Sequence, residues 1–208
     1  MQTGVGRSVR GRFIAFEGID GSGKSSTMAR VAKALAADGK AVWSTKEETD
    51  SDRGALVRKS IAEKWDPLAT TLLFVADRAM HVRDIEAALA AGTTVLCDRF
   101  LHSTYAYQSV TLAGRLPDPR AFVAGLHAGW CPQPDKVVLF KADPARCVAR
   151  VTKRGAASNY EKAEFLGKVQ DAYLAEAKAD PRRFHVVEAE RDIEELGRDV
   201  VALVRGWA

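Results

Sequence analysis

Eight consecutive residues have the composition and spacing of a phosphate-binding loop. Residues 18–25 read Gly-Ile-Asp-Gly-Ser-Gly-Lys-Ser, in which four residues separate the first glycine from Gly-Lys-Ser. Backbone N–H groups in such a loop surround an anion, and the helix that follows adds the positive end of its dipole. Lys24 would reach the outer phosphates, and the Ser25 hydroxyl can ligate Mg²⁺. We therefore expect a nucleoside triphosphate with magnesium, contacted by Gly18, Asp20, Gly21, Ser22, Gly23, Lys24, Ser25 and Ser26.

A second candidate group, Asp98 and Arg99, follows the apolar residues 94–97. A carboxylate in this place can act on Mg²⁺, for example by orienting metal-bound water. The guanidinium of Arg99 offers a fork of donors that matches phosphate oxygens. An Asp-Arg turn with only a structural role is the alternative, and the phosphate loop elsewhere in the chain favours the catalytic interpretation.

Basic residues cluster around residues 150–160, which we interpret as a short lid. Lys153 and Arg154 begin a small, polar, glycine-containing segment, and Arg146 and Arg150 precede it. Such a loop can bring positive charge to a transferring phosphoryl group and exclude water, which prevents hydrolysis of ATP. A solvated surface loop fits the local composition equally well.

The elements that would position these residues alternate along the chain. Five short apolar runs, at residues 13–16, 41–44, 94–97, 137–140 and 184–187, are separated by segments of helical periodicity. This alternation predicts an α/β fold with a five-stranded parallel sheet and helices on both faces. Ligands of such folds bind beyond the carboxyl ends of the strands. After a first helix that follows the phosphate loop, helices are predicted at 53–64, 68–90, 103–113, 120–130, 144–153, 160–178 and 193–207.

Length and composition narrow the class of protein. The chain has 208 residues, 47% of them apolar, which fits one domain at 13–208 behind a flexible N-terminal tail at 1–12. The net charge of +4 is too small and too evenly spread to indicate nucleic-acid binding. We expect neither a secretory signal nor a membrane anchor. Three widely spaced cysteines indicate reduced thiols and a cytoplasmic location.

The type of phosphate chemistry is narrowed by motifs that are not in place. A GTPase would carry an Asn-Lys-x-Asp segment and an Asp-x-x-Gly switch after its third strand, and the sequence has neither there. Motors and large ATPases usually need a longer chain. Phosphoryl transfer to a small molecule is the class that remains.

Three segments carry a more specific signal. They are residues 16–25, 73–78 and 98–108, with the proposed lid followed by Asn-Tyr-Glu at 159–161. In order and approximate spacing they resemble the thymidylate kinases, within the nucleoside monophosphate kinase superfamily. The similarity covers nearly everything from residue 13 to the C-terminus. It implies the P-loop nucleoside monophosphate kinase fold with a short lid, and ATP-dependent phosphorylation of thymidine monophosphate (dTMP) to thymidine diphosphate in deoxynucleotide synthesis.

The resemblance also implies roles for individual side chains. Asp20 would help to hold the acceptor's sugar and the metal, Phe74 would stack on thymine, and Arg78 would donate to a base carbonyl. Arg99 would hold the acceptor phosphate, and Tyr107 would exclude a 2′-hydroxyl. Without the family, Phe74 would be interpreted as a core aromatic and Arg78 as a surface charge. The implied acceptor pocket consists of Asp20, Glu47, Phe74, Arg78, Arg99, Ser103, Thr104, Tyr107 and Gln108.

Two positions bear on how far the family pattern applies. Some members keep a catalytic arginine in the phosphate loop, where this chain has Ser22, and others keep it in the lid. The second position is residues 45–50, Thr-Lys-Glu-Glu-Thr-Asp, which lack the proline that usually stands beside the acidic residue. The place of Glu47 is therefore left open. The implied catalytic residues are Asp20, Lys24, Asp98, Arg99, Arg150, Lys153 and Arg154, with Ser25 and Asp98 at the metal.

Other functions stay open at this point. The chain could be a kinase for another nucleoside monophosphate or for a deoxynucleoside, or a weakly catalytic, nucleotide-binding regulatory protein. The resemblance implies ATP and dTMP as partners and a homodimer. The apolar helix at 68–90 could form the dimer interface, although core packing explains it equally well.

Overall fold

Five parallel strands form the frame of the molecule. The computed structural model describes residues 10–152 and 159–208. Their strands are β1 (Phe13–Gly18), β2 (Val42–Lys46), β3 (Thr94–Asp98), β4 (Lys136–Lys141) and β5 (Phe184–Glu188). Their helices are α1 (Lys24–Ala37), α2 (Asp52–Ala62), α3 (Pro67–Ala90), α4 (Leu101–Thr111), α5 (Pro119–His127), α6 (Pro144–Thr152), α7 (Asn159–Ala179) and α8 (Ile193–Arg205). The predicted α/β fold with a five-stranded parallel sheet is confirmed.

The order of the strands in the sheet is β2-β3-β1-β4-β5, and every neighbouring pair is parallel. From β1 to β2 the chain moves in one direction across the sheet, whereas the later crossovers all move in the other direction. Because crossovers between parallel strands are right-handed, α1 must lie on one face and the helices between β2 and β5 on the other. Accordingly α1 packs on β1, β2 and β3 beside α8, while α3, α4 and α7 pack on β3, β1 and β4 with β5.

The core is centred on β1, in which all six residues are buried. A continuous apolar run of this kind is typical of a parallel strand covered on both faces. At the carboxyl end of the sheet, Asp98 lies level with Phe16 of β1 and with Lys46 of β2. The end of β3 is therefore next to the loop that leaves β1, as the site prediction requires.

The observed helix boundaries follow local signals. Pro119 occupies the first turn of α5, and the Asp118 side chain caps it by accepting from the Ala121 N–H at 2.8 Å. The predicted helix at 120–130 instead ends at His127, and Gly129 beyond it has φ +83°. A glycine in this left-handed conformation commonly follows the end of a helix.

Within residues 10–152 and 159–208, no helix combines the length and the apolar character that crossing a membrane would require.

Candidate active site

The phosphate-binding loop leaves β1 through a turn that requires glycine at two positions. Gly18 and Gly21 have φ values of +138° and +83°. A Cβ atom on Gly18 would lie 2.6 Å from the carbonyl oxygen of Phe140, and one on Gly21 would lie 2.6 Å from that of Cys147. The first turn of α1, all of it described, carries no acidic residue of its own that would oppose an anion at the helix N-terminus. The loop therefore has the form of an anion cradle.

Lys24 is a buried cation at the start of α1. Its side chain donates from Nζ to the carbonyl oxygen of Ile19 at 3.1 Å. Burial, with the nearby charge of Arg99, lowers the pKa of Lys24 to about 8, although the carboxylates of Asp98 and Asp20 oppose the shift. A desolvated cation gains more from an incoming phosphate than a surface lysine does, because the local dielectric constant is low.

The three serines of the loop and helix start lie in different environments. Ser22 is buried, and its hydroxyl oxygen has no hydrogen-bond partner among the described residues. Ser25 and Ser26 are exposed. The Ser25 hydroxyl donates to Oδ2 of Asp98, which joins the end of β3 to the start of α1.

A cavity of about 640 Å³ lies beside the loop and is lined by α2, α3, α4 and α7. Phe74 and Arg78 reach it from one face of α3, and Phe165 reaches it from α7. Pro67 and Ile61 add apolar side chains to the lining. The cavity brings together all the side chains of the implied acceptor pocket: Asp20, Glu47, Phe74, Arg78, Arg99, Ser103, Thr104, Tyr107 and Gln108.

At one end of the cavity, which we call the base end, Arg78 is held in a buried network. Its side chain is 1% exposed and faces the carboxylate of Glu47. Nε of Arg78 donates to Oε2 of Glu47 at 2.9 Å, and Nη2 donates to Oε2 of Glu47 and, at 2.7 Å, to Oγ1 of Thr104. Nη1 lies 2.9 Å from Nε2 of His127. These contacts leave one Nη1 hydrogen of the guanidinium for a ligand, counting partners in the described part of the chain.

His127 accepts a hydrogen bond from Arg78. Its Nδ1 lies 2.7 Å from the carbonyl oxygen of Val123, which can only accept, so Nδ1 carries the proton and Nε2 is the acceptor. Burial, together with the charge of Arg78, lowers the pKa of His127 to about 4. The imidazole is therefore neutral near pH 7, and it can hold a guanidinium without repelling it.

Glu47, whose place the sequence left open, is buried against Arg78 and His81. The peptide bond between Glu47 and Glu48 is cis. Burial alone would raise the pKa of Glu47, but the charge of Arg78 and the hydrogen bonds from His81 and Arg78 outweigh it and lower the pKa. The carboxylate is ionised and ties the end of β2 to α3.

At the opposite end, which we call the phosphate end, Arg99 is the central cation. Its Nη2 donates to Oδ1 of Asp20 at 2.7 Å and lies 3.3 Å from the hydroxyl of Tyr107. Its Nη1 donates to Oγ of Ser103 at 3.1 Å and to the hydroxyl of Tyr173 at 3.2 Å. Burial alone would raise the pKa of Asp20, but Arg99 and Lys24 lower it. Arg99 thus connects the cavity to the phosphate loop.

Glu17 and Tyr173 belong to this site, and the sequence reasoning gave neither a role. Glu17 is fully buried in β1, where its carboxylate accepts from the Phe100 N–H at 3.0 Å and from the Ser103 hydroxyl at 2.6 Å. Burial raises the pKa of Glu17 to about 7, against the lowering effects of Ser103 and Arg99. A carboxyl group inside the apolar run of β1 was the available signal for Glu17. Tyr173 lies far away in the sequence, and no local pattern marks it.

Of the three predicted lid cations, the structure describes only Arg150. Its Nη1 donates to the carbonyl oxygen of Gly21 in the phosphate loop at 3.1 Å, and its Nη2 donates to Glu190 at 3.1 Å. Arg150 therefore reaches the donor side of the site rather than the cavity. Lys153 and Arg154 lie outside the described residues.

Comparison with known proteins identifies this arrangement. The family model for thymidylate kinase matches residues 16–200. The chain belongs to the thymidylate kinase family. A protein of Methanococcoides burtonii named probable thymidylate kinase is 41% identical over 94% of this chain and 97% of its own length. Proteins of Methanosarcina mazei and Methanoculleus marisnigri with the same name are 39% and 40% identical, each over 94% of this chain and over 96% and 95% of their own lengths.

Membership in the thymidylate kinase family confirms the resemblance of the three segments and the assigned fold class. The chain covers almost the whole length of these relatives, so the family assignment applies to the phosphate loop, the cavity and α7 together. The roles of individual side chains in this thymidylate kinase family member stay predictions, although the structure places the acceptor set around one cavity.

The residues of this thymidylate kinase family member fit a magnesium ion beside the phosphate loop. Ser25 and Asp98 meet through oxygen atoms at the end of the sheet. Hydroxyl and carboxylate oxygens are the ligand types that Mg²⁺ takes from proteins when substrate phosphates and water supply the rest. Ser25 and Asp98 are thus the residues that would hold the ion.

Proposed function

We propose that the protein transfers the γ-phosphoryl group of ATP to the 5′-phosphate of dTMP, giving ADP and thymidine diphosphate for deoxynucleotide synthesis. One observation carries the proposal. Asp20 is part of the phosphate loop and also lines the acceptor cavity, where it pairs with Arg99 at 2.7 Å. The donor and acceptor sites therefore meet, so two bound anions can be aligned for direct transfer.

Direct transfer needs no covalent intermediate and no general base. The acceptor phosphate is already a nucleophile, so the protein mainly aligns the reactants and neutralises charge. In the proposal Lys24 holds the outer phosphates of ATP and Arg99 holds the acceptor phosphate. Mg²⁺, when bound by Ser25 and Asp98, neutralises charge on the donor phosphates.

The base end would select thymine and deoxyribose. Phe74 is half-buried on the cavity wall, one helical turn before Arg78, so a ring can stack on it while a carbonyl accepts the remaining Nη1 hydrogen. Tyr107 would lie under the sugar, where the ring is already fixed by the Arg99 guanidinium 5.1 Å from its centroid. Ser103, Thr104 and Gln108 are buried and would complete the pocket.

A lid around residues 150–160 would complete the donor site. Arg150 contacts the phosphate loop at Gly21, so a cation of α6 lies beside the loop that would hold the donor phosphates. In the proposal Arg150, Lys153 and Arg154 provide the positive charge that other family members place in the phosphate loop. Ser22 occupies that loop position here.

The proposed assembly is a homodimer in the cytoplasm. Leu72 and Met80 of α3 are large apolar side chains that are 47% and 39% exposed, and they lie eight residues apart on one helical face with Ala76 between them. A second copy of the chain would cover this stripe. Light scattering would give the mass of a dimer for the wild type and of a monomer for Leu72→Glu/Met80→Glu if this interface is correct.

The cytoplasmic location is supported by the free, buried thiols of Cys97 and Cys147.

The test of the proposed reaction is an acceptor panel with ATP and Mg²⁺. We expect the highest kcat/KM with dTMP, a lower value with dUMP, and little turnover with UMP, which carries a 2′-hydroxyl. Thymidine, which lacks the acceptor phosphate, should not be phosphorylated. Arg99→Met should raise KM for dTMP and leave KM for ATP nearly unchanged, since Arg99 is placed on the acceptor side. Preferred turnover of thymidine, or binding of ATP and dTMP without product, would contradict the proposal.

A further inference from the structure

Among the described side chains of α7, Tyr173 is the one whose hydroxyl contacts Arg99, the central cation of the phosphate end. We propose that Tyr173 is a positioning residue, which fixes the Arg99 guanidinium for the acceptor phosphate together with Ser103 and Glu17. This inference rests on the proposed function, because it concerns the same acceptor site. It adds a residue of α7 that neither the phosphate loop nor the Asp98-Arg99 motif contains.

The contacts define a closed network. The hydroxyl of Tyr173 lies 2.6 Å from Oγ of Ser103, 3.2 Å from Oε2 of Glu17 and 3.2 Å from Nη1 of Arg99. Ser103 Oγ in turn lies 2.6 Å from Oε2 of Glu17 and 3.1 Å from Nη1 of Arg99. One nitrogen of the guanidinium is therefore held between two hydroxyl oxygens, and both hydroxyls are anchored on one carboxylate oxygen.

The directions of these hydrogen bonds follow from the groups involved. Arg99 can only donate, so both hydroxyl oxygens accept from its Nη1. With Glu17 ionised, its Oε2 can only accept, and the Ser103 hydroxyl donates to it. The Tyr173 hydroxyl then donates to Ser103 or to Glu17. Every polar hydrogen of the network has an acceptor, and both Nη1 hydrogens of Arg99 are used.

The position of Arg99 explains why such a support is needed. Its φ is +66°, in the left-handed region that non-glycine residues seldom adopt, and the surrounding structure must hold it there. Nη2 of Arg99 points to Asp20 and Tyr107, at the cavity and the phosphate loop. Fixing Nη1 on the far side leaves Nη2 as the group that meets an acceptor phosphate. Tyr173 thus aims the guanidinium without lining the cavity itself.

Packing can be separated from positioning because Tyr173 is fully buried. Tyr173→Phe keeps the ring, and with it the packing of α7 against α4, and removes only the hydroxyl. Arg99 Nη1 then loses one of its two acceptors. Because a hydrogen bond to a charged group is stronger than one between neutral groups, we expect KM for dTMP to rise about tenfold or more. KM for ATP should change less than about twofold, since the hydrogen bonds of the Tyr173 hydroxyl go to Arg99, Ser103 and Glu17, which the proposal does not assign to ATP.

The decisive experiment is a double-mutant cycle. Wild type, Tyr173→Phe, Arg99→Met and Tyr173→Phe/Arg99→Met are compared in KM and calorimetric Kd for dTMP. If Tyr173 acts through Arg99, its loss has no further effect once Arg99 is replaced. Equal effects of Tyr173→Phe in both backgrounds would overturn the proposal, as would an unchanged Kd in the wild-type background.

Tyr105→Phe is the matched control. Tyr105 is also a buried tyrosine of this region, but it packs beneath Arg120, whose Cζ lies 3.9 Å from the ring centroid. Tyr105→Phe should leave KM for dTMP unchanged. Thermal unfolding of each variant shows whether a change in KM merely reflects loss of folding. If the wild type prefers another monophosphate, the proposed function fails while the same cycle on that acceptor still tests Tyr173.

Discussion

A buried glutamate lies near an arginine at each end of the cavity, yet the pKa values of the two carboxyl groups shift in opposite directions. At the base end Glu47 touches Arg78 directly, and its pKa is lowered. At the phosphate end Glu17 meets Arg99 only through the hydroxyls of Ser103 and Tyr173, and burial raises its pKa to about 7. Direct contact with a guanidinium outweighs desolvation, whereas contact through a neutral hydroxyl does not.

The two arginines also differ in their ion pairs. The Arg78–Glu47 pair is buried, whereas the Arg99–Asp20 pair lies at the cavity, where a ligand can reach it. Arg78 donates hydrogen bonds to Glu47, Thr104 and His127, which leaves one Nη1 hydrogen for a ligand. Arg99 is held on one side by neutral hydroxyls and on the other by Asp20 at the cavity. Arg78 is thus fixed by three partners, whereas one partner of Arg99 is a carboxylate at the cavity that an anionic ligand can replace.

The largest expected effect comes from breaking the base-end pair. Arg78→Met should lower the free energy of unfolding by about 3–5 kcal/mol, because Glu47 is left as a buried charge without its guanidinium. Binding of dTMP should weaken in the same variant. Urea unfolding at neutral pH measures the loss. Arg78→Met/Glu47→Leu should recover much of the stability but not the dTMP binding, and a single variant as stable as wild type would refute the pairing.

The pH dependence of stability tests the opposite pKa shifts of Glu17 and Glu47. The raised pKa of Glu17 means that its protonated form is favoured by folding, so this stabilisation is present below pH 4.5 and is lost as the pH rises through about 7. Glu17→Gln removes the titration, and its stability relative to wild type should increase by about 3 kcal/mol between pH 4.5 and about pH 8. Denaturant unfolding across this range gives the slope.

Glu47 should show the opposite sign. Its pKa is lowered, so the stabilisation is present above pH 4.5 and is lost as the pH falls through the pKa of the folded state. As the pH rises towards neutral, Glu47→Gln should therefore lose stability relative to wild type, whereas Glu17→Gln should gain it. Parallel slopes for the two variants would mean that both glutamates have the same environment.

The phosphate loop next to the phosphate end contains a further titratable group, Lys24, which donates to the Ile19 carbonyl. Its pKa is lowered to about 8, so the free protein loses this charge as the pH rises through that value. We expect Kd for ATP to increase about tenfold between pH 7 and pH 9, because binding must then take up a proton. Calorimetry in two buffers of different ionisation enthalpy measures that uptake. Lys24→Met should abolish it and should also cripple phosphoryl transfer.

The smallest expected effect tests the third partner of Arg78. His127→Leu removes the acceptor of Nη1 and should cost about 1–2 kcal/mol of stability, with KM for dTMP rising several-fold. His127→Gln, which can restore an acceptor, should lie closer to wild type. Identical KM values for the two variants would show that His127 only fills space.

The fold and the phosphate loop could be predicted from the sequence because their signals are local. Residues 18–25 contain the whole phosphate loop, and five apolar runs mark the strands that bring Asp98 to it. The pairing of Arg78 with Glu47 joins positions 31 residues apart, and the contact of Tyr173 with Glu17 joins positions 156 residues apart. Such contacts depend on how α3 and α7 pack, which periodicity alone does not specify.

The raised pKa of Glu17 is another property of the site that the sequence alone does not specify. Its place in an apolar strand was visible in the sequence, but the raised pKa depends on which donors surround it in three dimensions. Similarly, the sequence showed that a proline is missing beside Glu47, while only the structure shows that this carboxylate lies against Arg78. Local patterns located the elements of the site, and tertiary packing set its charges.

The Asp20–Arg99 ion pair has a consequence for which molecules can enter. Because the Asp20 carboxylate is paired with the Arg99 guanidinium, an arriving ligand has to offer an anion that binds the guanidinium at least as strongly. A doubly charged phosphate monoester meets that condition. An uncharged nucleoside does not, because it has no anionic group to compete with the Asp20 carboxylate for Arg99.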